Sequence, residues 1–308
     1  MEVTSPITRI LASVPSSLIN IAPEREQETR ALLNGIEFEL NDDLNFGFFG
    51  APGSPANSTV AGTIGVPERG VELLWVMSYA LWGRYQDYLQ RQAGGSSTIS
   101  LNASVPLLNW SLPNQGAATR SPWPANLPRP TGFEVSNGAP SLERVADELT
   151  MCATGWLLHH ELTHVVRGDS PNVPAEVSRE QERNADWSAT CWLLDQSPSG
   201  MALEKRVLGI ATGILCLVAL ELEGKVKSGP LRPYPAAAER LTRCLSHPRL
   251  TSGVSADLII AIGLRLLIDL FEIALAPSDF ETAPDCVEAY GLAIEQALNS
   301  GGVPSRTG

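Results

Sequence analysis

Residues 159–164 read His-His-Glu-Leu-Thr-His and hold three of the four histidines in a chain of 308 residues. His160, Glu161 and His164 form the pattern H-E-x-x-H. On a helix, positions i and i+4 project from one face, so two imidazoles can converge on one metal ion with the glutamate flanking it. The hexapeptide therefore requires a helix through 160–164, and its donor set suits Zn²⁺. A catalytic zinc takes three protein ligands and leaves a fourth position to water, so a further ligand is needed downstream.

A histidine six residues past His164, the metzincin solution, is excluded because that position is Ser170, and Arg167 stands where the same pattern needs glycine. A carboxylate from the next helix is the other solution. The string "ERNAD" offers Glu182 and, one turn later, Asp186. Gly168 can end the first helix, and "GDSPNVP" can turn the chain into the second. Glu182, Asp186, Ala189 and Leu193 then share one face, presenting a ligand, a supporting acid and packing contacts together. Glu176 and Glu180 are rivals for the ligand role. In this scheme His160, His164 and Glu182 hold Zn²⁺. Glu161 is general base and then acid, and Asp186 accepts the second N–H of a ligand histidine.

Other residues near the motif have plainer readings. His159 projects about 100° from His160 on a helix and is expected to pack or face solvent. Cys152, Trp156 and Cys191 are expected in the core, and Arg167 and Arg240 are expected in ion pairs near the site.

The rest of the chain constrains the setting. With 44% hydrophobic residues it can bury a large core. Its 34 acidic against 22 basic residues give a net charge of −12 without a basic run, which argues against a nucleic-acid or anionic-membrane partner. The five cysteines are scattered, with no CxxC pair, which fits reduced thiols in the cytoplasm. The N-terminus lacks the charge and apolar run of a signal peptide, so the mature chain is expected to start at Met1. The apolar stretches 207–220 and 258–276 are too short or too interrupted by charge to span a bilayer and read as buried helices.

Alternation of Ile36, Phe38, Leu40 and of Leu44, Phe46, Phe48 predicts a hairpin or edge strand over 36–49, and 61–66 reads as a short strand. A long aromatic-rich helix follows from Pro67 to about Gln92. Residues 104–140 contain seven prolines and read as a wrapping loop or lid, with Trp110 and Trp123 as docking points. Ser141 reads as the N-cap of a helix running to Gly168, and a second helix spans about 174–196. Helices are further predicted near 202–224, 236–246, 255–276 and 281–299. The fold class is α+β, predominantly helical, with a small N-terminal β element. An N-terminal region, 1–140, and a helical catalytic region, 141–300, are expected to form one integrated domain.

The combination of H-E-x-x-H with E-x-x-A-D resembles the gluzincin-type zinc metallopeptidases. The wider string "GWLLHHELTHVVRGD … EQERNADWSATCWLL", preceded by "ERGVELLWVMSYALWGRYQDYL", resembles the phage-exclusion peptidases of the Lit type over about residues 65–200. That resemblance implies a zincin-like helix pair and a cytoplasmic zinc endopeptidase of limited specificity acting in antiviral defence. The implied substrate is a protein, the host translation elongation factor Tu, and activation by a peptide or partner is implied as well. Tyr234 stands where related peptidases carry a His-Pro pair, so it is the first candidate to stabilise the oxyanion, with His247 second.

Two other functions compete. One is a regulatory metallopeptidase that cleaves repressors, but its usual histidine four residues after the second motif histidine is Gly168 here. The other is a non-catalytic binding module in which zinc staples two helices; Glu161, in the general-base position, argues against it.

Overall fold

The helix that carries the motif is set by its own ends. In the computed structural model, residues 6–7, 10, 14–41, 49–52, 62–94, 103–115, 117, 121–132, 140–170, 172–224, 237–250, 256–275 and 282–300 are described. Ten helices are numbered here in chain order: α1 (Val14–Ile21), α2 (Glu26–Leu32), α3 (Glu68–Gln92), α4 (Ser104–Asn114), α5 (Leu142–Arg167), α6 (Ala175–Leu194), α7 (Met201–Leu222), α8 (Ala237–Leu245), α9 (Ala256–Phe271) and α10 (Ala283–Asn299). The motif lies near the C-terminal end of α5. Ser141 Oγ accepts the backbone N–H of Arg144 at 3.2 Å, satisfying one of the amides that a helix start leaves without a partner. At the other end Gly168 adopts a left-handed conformation, φ 65°, and the N–H groups of Gly168 and Asp169 return to the carbonyls of Val165 and His164. Both ends are where the sequence placed them.

Apolar residues surround α5 on nearly every side, as a central helix requires. It packs against α3 through Trp75, whose indole N–H donates to Asp147 Oδ1 at 2.7 Å, and through Thr150, whose hydroxyl reaches Ser78 Oγ at 3.3 Å. On another side it meets α7, most of whose residues are buried, and α6. The buried apolar side chains, from Ile64 on the sheet to Trp156 on α5 and Leu264 on α9, form one continuous core. Among the described residues no helix is long and apolar enough to cross a membrane.

The sheet differs from the sequence expectation in topology. Its three strands are β1 (Ile36–Asn41), β2 (Phe49–Pro52) and β3 (Gly62–Pro67), in the order β1-β3-β2. β1 runs parallel to β3 with Ile36 opposite Gly62, and β2 runs antiparallel to β3 with Gly50 opposite Ile64. The predicted hairpin within 36–49 is therefore replaced by an arrangement in which β3 lies between the other two. The physical reason is burial. Ile64 and Val66 are fully buried, so β3 takes the central place, whereas Leu40 of β1 is 59% exposed and marks an edge. Leu44, Phe46 and Phe48 lie outside the described residues.

The proline-rich segment also departs from expectation. Residues 104–114 are helical because Pro106 occupies the first turn, where its missing N–H costs nothing, and Pro113 comes next to last. Trp123 packs against Trp110 and Trp75, with ring centroids 4.7 and 5.5 Å apart, and its indole N–H donates to Pro128 O. Thr131 donates its backbone N–H to Asp147 Oδ2 at 3.1 Å. These contacts are with α3, α4 and the N-terminal half of α5. Asp147 precedes His160 by 13 residues, about 20 Å along a helix. The described part of the segment is thus core packing and not a cover over the motif. Deleting residues 112–130 is expected to lower the thermal midpoint sharply or prevent folding, measured by circular dichroism; a stable, more active enzyme would restore the lid reading.

Candidate active site

Helix α5 supplies His160, Glu161 and His164, and α6 supplies Glu182 and Asp186, each pair of ligating or supporting residues one turn apart. The two helices lie side by side. His160 Nε2 and His164 Nε2 lie 3.1 Å apart, and the Glu182 carboxylate faces both, with Oε2 3.4 Å from His160 Nε2 and Oε1 3.6 Å from His164 Nε2. Zinc bonds of about 2.0–2.2 Å at tetrahedral angles place ligand atoms about 3.3–3.6 Å apart. The two distances to Glu182 fall within that range and the two histidine nitrogens stand slightly inside it, so a small side-chain adjustment suits these three groups to one zinc ion. Glu176 and Glu180 are exposed, and neither belongs to the cluster.

The ring nitrogens turned away from this point each face a carboxylate. His164 Nδ1 donates to Asp169 Oδ2 at 2.9 Å, which leaves a lone pair on Nε2. His160 Nδ1 lies 3.0 Å from Asp186 Oδ1. Asp186 is in turn gripped by Arg240 of α8, whose Nε and Nη2 donate to its two oxygens at 2.8 and 2.7 Å. Asp186 and Arg240 are 2% and 5% exposed, so the pair interacts away from solvent screening.

The electrostatics follow from this packing. Burial works against a charge on His160, yet Asp186 and Glu182 outweigh it and lift its pKa to about 10. Burial would likewise raise Asp186, but Arg240 and His160 hold it down to about 2. Glu182 is also lowered, the cost of its burial being outweighed by His160 and Arg240. The carboxylates around the two histidines create a demand for positive charge at this point. Glu161 behaves differently. Burial, with Glu182 adding to it, raises its pKa to about 7, in the range where a group can both accept and return a proton at neutral pH.

β2 closes the side of the site next to Glu161. The backbone N–H of Gly50 faces the Glu161 carboxylate and favours its charged form. A β-carbon at Gly50 would stand 2.5 Å from the Glu161 carbonyl oxygen and 2.9 Å from Val165 Cγ2, so only glycine allows this approach of strand to helix. The strand beside Glu161 is thus β2, one strand further along the chain than Ile36, Phe38 and Leu40. Gly50→Ala is expected to push β2 off α5 and cut peptide hydrolysis about tenfold or more, with metal content unchanged, because a displaced strand misplaces what it positions; metal analysis beside a peptide assay distinguishes this from loss of the site.

The remaining expectations divide. His159 is buried and stacks on Trp192 with ring centroids 4.8 Å apart, and burial takes its pKa down to about 3, which makes it a packed, neutral residue. Cys152 and Trp156 are core, the indole N–H of Trp156 donating to Thr190 Oγ1 at 3.1 Å. Cys191, near the C-terminal end of α6, is only half-buried and not in the core. Arg167 reaches Asp169 at 3.6 Å. His247 is not at the site: its Nε2 bonds Asp195 Oδ1 at 3.0 Å, at the far end of α6 from Glu182. Tyr234 lies outside the described residues. Sequence reasoning assigned no function to Asp169, whose signal is its place directly after the helix-ending glycine. It also missed the carboxylate partner of Arg240, which no local pattern announces.

Comparison with known proteins identifies the family. The model of the family described as Peptidase U49 matches residues 64–257, a stretch that contains all the residues of the site except Gly50. The chain is 31% identical over 244 residues to the "Cell death peptidase" of Escherichia coli (strain K12), an alignment covering 77% of this chain and 80% of that protein. No solved structure matches. The extent of the family match and the coverage of the relative place the chain in the Peptidase U49 family, and it is a peptidase.

Proposed function

We propose that this peptidase is a zinc-dependent endopeptidase of limited specificity, cleaving a peptide bond in a protein substrate. The observation that carries the reading is the convergence of His160 Nε2, His164 Nε2 and the Glu182 carboxylate on one point, with Glu161 beside them. Zn²⁺ held there supplies Lewis acidity and lowers the pKa of water at the site from about 15.7 toward about 7. Glu161, half-buried next to the histidines, takes the proton of the attacking water and passes it to the leaving amine. Asp169 and Asp186 fix the orientation of the two imidazoles, and Arg240 keeps Asp186 ionised. No strand pairs with the outer edge of β2 among the described residues. An extended substrate can add there as a further strand, with its backbone beside Glu161. The resemblance to phage-exclusion peptidases extends the proposal to a cytoplasmic enzyme that cleaves a translation factor once a peptide or partner activates it.

His160→Ala is expected to bind one equivalent of zinc fewer than wild type, by elemental analysis of the purified chain, and to lose hydrolysis with it. Equal zinc content in the two proteins would remove the basis of the reading.

A further inference from the structure

The fourth histidine, buried and away from the motif, belongs to a second cluster of donor atoms. Cys191 and Asp195 lie one turn apart at the C-terminal end of α6, and His247 is brought to them by the turn that follows α8. Cys191 Sγ, a carboxylate oxygen of Asp195 and a ring nitrogen of His247 all lie within 4.8 Å of one another. We propose that Cys191, Asp195 and His247 form a second site for a divalent cation of the zinc class, separate from the peptidase centre. Cys191 is nine residues past Glu182, about 14 Å along the helix, so one ion cannot serve both sites.

The chemistry selects the ion. A thiolate with an imidazole and a carboxylate suits Zn²⁺ or Cd²⁺ and is poorly matched to Mg²⁺ or Ca²⁺, which prefer oxygen throughout. Three protein donors leave one position of a tetrahedron to solvent, and Asp195, with 45% of its side chain exposed, gives that position access to water. Two existing contacts yield when the ion binds. Arg25 reaches Asp195 Oδ2 at 3.3 Å but also holds Glu28 at 3.1 Å, so it keeps a carboxylate partner when it withdraws. The proton that His247 Nε2 shares with Asp195 moves to Nδ1, at the expense of the 3.3 Å bond from the Arg249 N–H. Cys191 releases its thiol proton to solvent as the metal–sulfur bond forms, so one proton leaves per ion bound and affinity rises with pH.

The bound ion would tie the end of α6 to the turn after α8. Those are the two helices joined by the Asp186–Arg240 pair, so occupancy would brace the support beneath His160 without touching a peptidase ligand.

The test is a Cd²⁺ titration of the full chain, following the ultraviolet charge-transfer band of a cadmium–thiolate bond. His160→Ala is used as background, so that failure of the peptidase centre does not affect the reading. One cadmium per chain with a single-thiolate band is expected. Cys191→Ser should abolish the band, and Asp195→Asn, which keeps the shape of the side chain, should weaken binding at least tenfold. Absence of the band in the His160→Ala background, or its persistence in Cys191→Ser, would overturn the proposal. Unchanged affinity in folded Asp195→Asn would overturn the three-ligand site.

Discussion

Replacement of Glu161 by Gln is expected to lower peptide hydrolysis by at least about 10²-fold, while fold and metal content stay at wild-type levels. The factor is the low end for loss of a general acid–base group. The amide is isosteric with the carboxylate, so the packing of Glu161 between His160 and β2 survives. The substitution removes basicity alone. In the wild type, burial holds the Glu161 pKa near 7, and an amide cannot accept a proton at any relevant pH. The amide oxygen of the glutamine still faces the Gly50 N–H, so β2 should remain in place. Residual activity within a few-fold of wild type would assign the base to another residue.

The second large effect is expected at Arg240. Removing its side chain in Arg240→Ala leaves Asp186 buried without its bidentate partner, which typically costs about 3–5 kcal/mol. The loss should appear in thermal or urea unfolding. Zinc affinity should fall about 10–100-fold as well, because Asp186 no longer holds its orientation toward His160. The pH dependence has a definite sign. Asp186 has a folded pKa of about 2, below its ordinary value of about 3.9, so its contribution is present above about pH 4 and is lost as pH falls toward 2. Without Arg240 the folded pKa rises, and acid unfolding should begin at a higher pH than in wild type. An Arg240→Ala protein with wild-type stability and acid midpoint would show that the pair contributes nothing.

Helix ends and the one-turn pairs His160–His164 and Glu182–Asp186 were legible because their determinants are local. Ser141 and Gly168 announce the limits of α5 by their own chemistry, and Glu182 with Asp186 repeats the i, i+4 spacing that His160 and His164 established. The grip of Arg240 on Asp186 joins residues 54 positions apart and leaves no trace in either neighbourhood. Strand order was illegible for a related reason: which strand is central depends on what it packs against, and β3 is central because its Ile64 and Val66 are fully buried. The proline content of 104–140 misled because the position of a proline within a helix matters more than its number. Pro106 and Pro113 fall near the two ends of α4. The short helices α1 and α2 were missed at the N-terminus, where eight and seven residues give little periodicity to read.

The central claim is that one zinc ion sits between α5 and α6. A crystal of the purified chain measured on either side of the zinc absorption edge tests it directly. The expected result is an anomalous peak bonded at about 2.0–2.2 Å to His160 Nε2, His164 Nε2 and a Glu182 oxygen, with Glu161 adjacent and unbonded. A map of zinc-loaded crystals with no peak among those three side chains would contradict the account.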